Sequence, residues 1–309
     1  MAGYTDSAFR RICLRLGATA AVTEMVSVQG LSRRSVGSSA MLRHTAEESP
    51  LGVQLYGARP EDFARASTLV AGMGFAFVDI NAGCPVKKVI RSSSGASLLR
   101  DIPRLLDVCS AVESSSSGLP VTVKIRLGWD ETEPVPDEIG TMLADRGVSV
   151  LFVHARYRSD LFGGRADPVA LRRIVTASPI PVIANGESGS ADAASAFLSE
   201  SGAAGLLIGR GAIGRPWIFR ALRGLGPPTP LPGEIPEVIL SHLGMMREYL
   251  PAPHVYHVFR GHLVHYLRGF RGASELRSRA VRVESDGDVR AVCEMAEEMA
   301  HFRESTPQG

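Results

Sequence analysis

Cysteine is scarce: the 309 residues contain only Cys13, Cys84, Cys109 and Cys293, and no two stand in a CxxC pair. This scatter argues against a disulfide framework and a cysteine-built zinc site and suits a reducing compartment; no metal is expected. No apolar run approaches the ~18 residues of a membrane span. The opening MAGYTDSAFRR lacks the apolar stretch of a signal peptide. A cytoplasmic location with no membrane partner is therefore expected. Net charge is small too: 34 Lys and Arg face 32 Asp and Glu, a formal +2, so any nucleic-acid surface must be local. The length suits one large domain, or a large one with a small companion.

Short β-branched runs alternate with helical patterns over the first two-thirds of the chain. Strands are predicted at 20–24, 51–56, 75–81, 121–127, 148–155, 181–185 and 204–209. They read as nearly continuous apolar runs, as in strands buried on both faces of a parallel sheet. Helices are predicted from Pro60 and after a Ser190 cap, the latter ending at Gly202. Thr5 or Asp6 caps a first helix. Repeated βα units point to a (β/α)8 barrel or a doubly wound sheet, and a barrel here is one strand short at its start. The five prolines of 224–236 exclude regular structure. The expected division is 1–225 as a catalytic α/β domain, 226–236 as a linker and 237–309 as a small helical domain.

In such a barrel the active site lies at the C-terminal strand ends. Polar residues collect there: Glu24, Gln54, Asn81 with Cys84, Lys124 with Arg126, His154 with Arg156, Asn185 with Glu187, and Gly209 with Arg210. The glycine turns at 185–192 and 209–217 suit a phosphate group. Lys124, within an apolar strand, needs a partner: an anionic ring, a Schiff-base substrate or Glu187. His154 and Arg156 face one side of their strand end. Cys84 stands past the end of an apolar run, before Pro85, Lys87 and Lys88, lysines that would lower its pKa if close. It suits a nucleophile or a general acid.

Together MAGYTDSAFR, TEMVSVQGL, VQLYGARPEDF, DINAGCPVKKVIRSSSGASLLRD, VKIRLGWDE, VHARYRSDLFGGRAD, VIANGES and GLLIGRGAIGRPWIF resemble the tRNA-dihydrouridine synthases. These flavin enzymes reduce uridines in tRNA. The resemblance implies a barrel binding FMN, a C-terminal helical domain that helps hold tRNA, and NADPH as reductant. It implies flavin contacts from Met1, Ala2, Gln54, Lys124, His154, Asn185, Gly186, Glu187, Gly209 and Arg210. Asn81 and Arg156 would shape the floor under the base, and Cys84 would protonate uracil C5. The family's first strand and a proline precede the MAG segment, so that strand is expected to be truncated or missing here.

RNA binding needs local positive charge. Between His254 and Arg282 six arginines, among them Arg260, Arg268 and Arg271, face one glutamate, and Lys87 adds charge beside Cys84. Tyr256, Tyr266 and Phe270 interleave with these arginines as core or stacking residues. A monomer is expected. Three other readings use the same residues: a flavin barrel reducing a small molecule, a Schiff-base lyase built on Lys124, and a non-catalytic tRNA-binding homologue.

Overall fold

The computed structural model describes residues 1–268 and 273–304. The chain divides into two compact units, Met1–Ala2 with Thr19–Gly209, and Gly3–Ala18 with Arg210 onward.

The first unit is built on a parallel sheet of seven strands in sequential order, β1 (Ala21–Ser27), β2 (Leu51–Tyr56), β3 (Phe77–Asn81), β4 (Val121–Arg126), β5 (Val148–His154), β6 (Val182–Asn185) and β7 (Gly205–Leu206). Period-2 alternation sorts their side chains. Val53, Leu55, Val78, Ile80, Val123, Ile125, Leu151, Val153 and Ala184 are wholly buried on one face. They pack with Phe63 and Val70 of the helix Pro60–Ala71, Leu105 and Val108 of Ile102–Ser115, and Leu171 of Pro168–Ala177. Burying each of the Val, Leu, Ile and Phe side chains stabilises by roughly 1.5–3 kcal/mol. The opposite face carries Gln54, Asp79, Asn81, Thr122, Lys124, Arg126, His154 and Asn185. Parallel strands in chain order, each covered by a helix, form the (β/α)8-barrel class. Among the described residues no strand precedes Ala21.

Capping sets the helix ends. Asp6, rather than Thr5, caps the helix Ser7–Arg15, its carboxylate accepting the Phe9 N–H at 2.9 Å. Ser190 caps Ala191–Ser201, and Gly202 closes it in the left-handed region at φ 67°.

The second unit contains the helices Ser7–Arg15, Glu234–Arg247, His254–Tyr266, Ala273–Ala280 and Asp286–Glu304. Ile239, Leu243, Met246, Val255, Phe259, Leu263, Leu276, Val289 and Val292 form its core with Ala8 and Ile12. That core explains why residues 3–18 group here and not with the barrel. The proline-rich stretch is irregular as expected, although the next helix starts at Glu234 and accepts Pro236 in its first turn. Tyr256 and Tyr266 are core residues, 7% and 2% exposed; Phe270 lies outside the described residues.

Candidate active site

One chain of hydrogen bonds crosses the barrel interior. Asp79 accepts from the Thr122 hydroxyl at 2.6 Å and from Gln54 Nε2 at 2.6 Å. Gln54 Oε1 accepts from Asn81 Nδ2 at 2.9 Å. Asn81 Oδ1 then accepts the backbone N–H groups of Gly83 and Cys84, at 3.2 and 3.0 Å. A carboxylate at the head only accepts, so it dictates the amide orientation of Gln54, hence of Asn81, hence the seat of the Cys84 backbone. Asp79 and Thr122 escape the sequence reading, because a single acid inside an apolar run carries no strand-end signal.

The Cys84 loop is shaped by two glycines. A Cβ on Gly83 would stand 3.1 Å from the Ile125 carbonyl carbon, so the loop backbone runs hard against the end of β4. Gly95 has φ +60°, and its Cβ would meet the Cys84 carbonyl oxygen at 2.8 Å. Cys84 is partly exposed. Burial pushes its thiol pKa up, while a hydrogen bond from the Val86 backbone and the charges of Arg126 and Lys124 oppose the rise. Lys87 and Lys88 are both exposed, and the cations that act on the thiol, Arg126 and Lys124, belong to β4.

Burial, with the Arg126 charge behind it, lowers the Lys124 ammonium to about 8, against the upward pull of Asp79 and Cys84. Burial raises the Asp79 carboxyl to about 6, against hydrogen bonds from Thr122 and Gln54 and the Lys124 charge. Among the described residues no hydrogen bond or ion pair holds the Lys124 ammonium. The expected option of a pair with Glu187 is overturned, because Glu187 Oε1 accepts from Arg156 Nη2 at 2.9 Å.

Arg156, only 5% exposed, ties two loops together. It donates to the Gly164 carbonyl at 3.2 and 3.1 Å, to the Gly186 carbonyl at 3.4 Å and to His154 Nε2 at 3.0 Å. An arginine only donates, so His154 Nε2 accepts and the neutral ring carries its proton on Nδ1. Arg126 stands level with His154, and His154 with Asn185, in the strand register. Arg126 donates to the carbonyls of Gly83, Tyr157 and Leu161, at 2.9, 2.7 and 2.6 Å, and so braces the Cys84 loop from below. Asn185 Nδ2 reaches the Leu207 carbonyl at 2.8 Å.

Gln54, Asn81, Cys84, Lys124, His154, Arg156, Asn185, Gly186 and Glu187 thus gather at the C-terminal end of the strands. Met1 lies beside Gly209, its Sδ 3.5 Å from where a Gly209 Cβ would stand. Ala2 and Lys87 are exposed. Arg210, Arg260 and Arg268 belong to the second unit. There Arg260 donates to the Val283 carbonyl at 3.0 and 2.9 Å, while Arg268 is exposed. Arg271 lies outside the described residues. The assembled group offers a thiol with a raised pKa near the half-buried Lys124 ammonium, an arrangement suited to proton donation beside an anion.

The family model described as Dihydrouridine synthase (Dus) matches residues 1–303. The tRNA-dihydrouridine synthase B of Pseudomonas aeruginosa is 35% identical over 100% of this chain and 93% of its own length. Its counterpart in Shewanella oneidensis is 40% identical over 72% of this chain and 69% of its own. Among solved structures, an old yellow enzyme homologue from Zymomonas mobilis shares the fold, with a TM-score of 0.54 at 17% identity over 74% of this chain and 87% of that one. With the family model spanning both units and the mouth residues falling within its match, the chain belongs to the dihydrouridine synthase family.

Proposed function

We propose that this chain reduces the C5–C6 double bond of uridine in tRNA, with FMN as cofactor and NADPH as reductant. The observation that carries the reading is the joint placement of Cys84 and Lys124 at one barrel end, with the Cys84 backbone seated by the Thr122–Asp79–Gln54–Asn81 chain, in a member of this family. The residues suit an anionic flavin nucleotide. Lys124 is a half-buried cation that no hydrogen bond or ion pair holds among the described residues, and glycine turns follow β6 and β7. Gln54 and Lys124 would face the flavin ring. His154, Asn185, Gly186, Glu187, Gly209 and Arg210 would hold the ribityl chain and phosphate, with the Met1 and Ala2 backbone alongside. Asn81 and Arg156 would form the floor under the uracil. Lys87, Arg268 and Arg271 would meet tRNA phosphates, and Arg260 would hold the Val283 turn in place.

The target base has to leave its stack to reach a barrel interior. Bound FMN supplies the hydride that uracil C6 accepts. Negative charge then develops on C5 and O4, and Cys84 gives its proton to C5. Burial keeps the thiol protonated beforehand; Lys124 and Arg126 stabilise the thiolate that remains until solvent returns a proton.

The test is an absorbance spectrum of the purified chain, anaerobic addition of NADPH, then incubation with unmodified tRNA and mass spectrometry of its nucleosides. Flavin bands that bleach, followed by a two-mass-unit gain on uridine, are expected. RNA binding without bound flavin or turnover favours the non-catalytic reading, and turnover of a small enone without tRNA favours the other reductase.

A further inference from the structure

The helical unit contains a polar cluster that the proposed reaction does not use. Among the described residues, Asp6, His242 and His262 each offer one ligand atom, and the three atoms lie within 4.8 Å of one another. Three parts of the unit supply them: Asp6 caps the helix Ser7–Arg15, His242 lies in Glu234–Arg247 and His262 in His254–Tyr266. His242 is 0% exposed and His262 2%. The Nε2 atom of each ring is buried and has no hydrogen-bond partner. Two such orphans side by side are costly in an otherwise apolar core.

Both rings are packed inside the helical unit. The Phe9 ring packs against both, and the His242 and His262 ring centroids stand 4.4 Å apart. His242 Nδ1 lies 2.9 Å from the Tyr266 hydroxyl. If Nδ1 carries the proton it donates to that oxygen, which turns the Nε2 lone pair toward His262 and Asp6. A ring N–H held by a second residue is the usual support of a metal-binding histidine. Asp6 accepts the Phe9 N–H at 2.9 Å and interacts with the Tyr249 hydroxyl, and its two oxygens keep further lone pairs.

We propose that Asp6, His242 and His262 bind a zinc-class divalent metal ion, with water as the fourth ligand, which pins the start of the first helix to the two helices behind it. Two imidazoles and a carboxylate match the ligand preferences of zinc, cobalt(II) and nickel(II), and not those of calcium or magnesium. The size is within reach: three atoms no more than 4.8 Å apart can share a centre about 2.8 Å away at most, against roughly 2.0–2.2 Å in a zinc site. Small side-chain rotations close that gap. The three protein ligands carry one negative charge in all, from the half-buried Asp6, so the bound site keeps a net charge of +1.

The test uses the full chain. Metal content is measured after purification and after chelator treatment, and cobalt(II) is then added to the stripped protein and its visible spectrum recorded. Roughly one equivalent of zinc or cobalt per chain is expected, with the intense visible bands of a tetrahedral site and a rise in melting temperature on zinc addition. His262→Gln, and separately Asp6→Asn, should lose the metal while far-UV circular dichroism shows the helices intact. A folded, unsubstituted chain that takes up neither metal overturns the proposal and leaves a buried water between the rings. Metal content unchanged in both variants overturns it as well. Should the variants fail to fold, the cobalt spectrum of the unsubstituted chain decides alone: tetrahedral bands uphold the site and their absence rejects it.

Discussion

Removing the Cys84 thiol separates the two halves of the proposed reaction. Cys84→Ala takes away the proton donor to C5 and leaves the residues assigned to the flavin in place. Dihydrouridine formation should fall by roughly 10²-fold or more, the scale of general acid catalysis, while NADPH still bleaches the flavin; nucleoside mass spectrometry and stopped-flow absorbance read the two steps. Lys124 adds a pH dependence. Its folded pKa is lowered to about 8, so its charge is present below that pH and lost above it. Retention of an anionic flavin should weaken as pH rises through about 8, with a higher midpoint when flavin is in excess, because a bound anion raises the lysine pKa. Lys124→Met should bind more weakly and flatten the profile in equilibrium dialysis. Asp79 has the opposite linkage. Its folded pKa is raised from 3.8 to about 6, so the folded state holds the proton more tightly, and its contribution to stability declines as pH rises across that window. A gap of about two units amounts to ~3 kcal/mol. Asp79→Asn should remove that slope in urea unfolding at about pH 4 and about pH 7.

At the scale of elements, the loop after β3 is the part most sensitive to geometry. Gly95 is left-handed, and its missing Cβ makes room for the Cys84 carbonyl. Gly95→Ala should cost about 1–2 kcal/mol of stability through its φ alone. It should also displace Cys84 and lower dihydrouridine formation while flavin retention stays unchanged; thermal melts and product counts check the two effects. The same loop shows what was legible. DINAGCPVKK marks Cys84 as reactive because a thiol beyond an apolar run has no packing role, and the two-residue alternation of β4 and β5 marks Lys124, His154 and Arg156. The partner of Glu187 was not legible, because Lys124 and Arg156 both stand at the same barrel end and only the loop paths assign the pair to Arg156. Asp79 stayed hidden because its hydrogen-bond partners come from two neighbouring strands.

For the whole molecule, tRNA binding should follow local charge and not the net formal charge of +2. Affinity should fall linearly in log–log terms with salt, and Arg268→Gln should lower the slope by roughly one. Arg260→Gln should act differently. Its guanidinium holds the Val283 carbonyl, so the loss should appear first as lower thermal stability of the chain.

The sequence by itself determined the barrel class and the order of the strands, and it singled out the Cys84 thiol as the candidate reactive group. Period-2 alternation, helix caps and glycine turns are local properties, written within a few residues of one another. The tertiary structure alone decided which groups meet. It put the helix Ser7–Arg15 with the helical unit because Ala8 and Ile12 fill that unit's core. It made Tyr256 and Tyr266 core residues, gave Glu187 to Arg156, and brought Asp6 to His242 and His262. Each of those outcomes depends on how distant segments pack, and no local spacing records it.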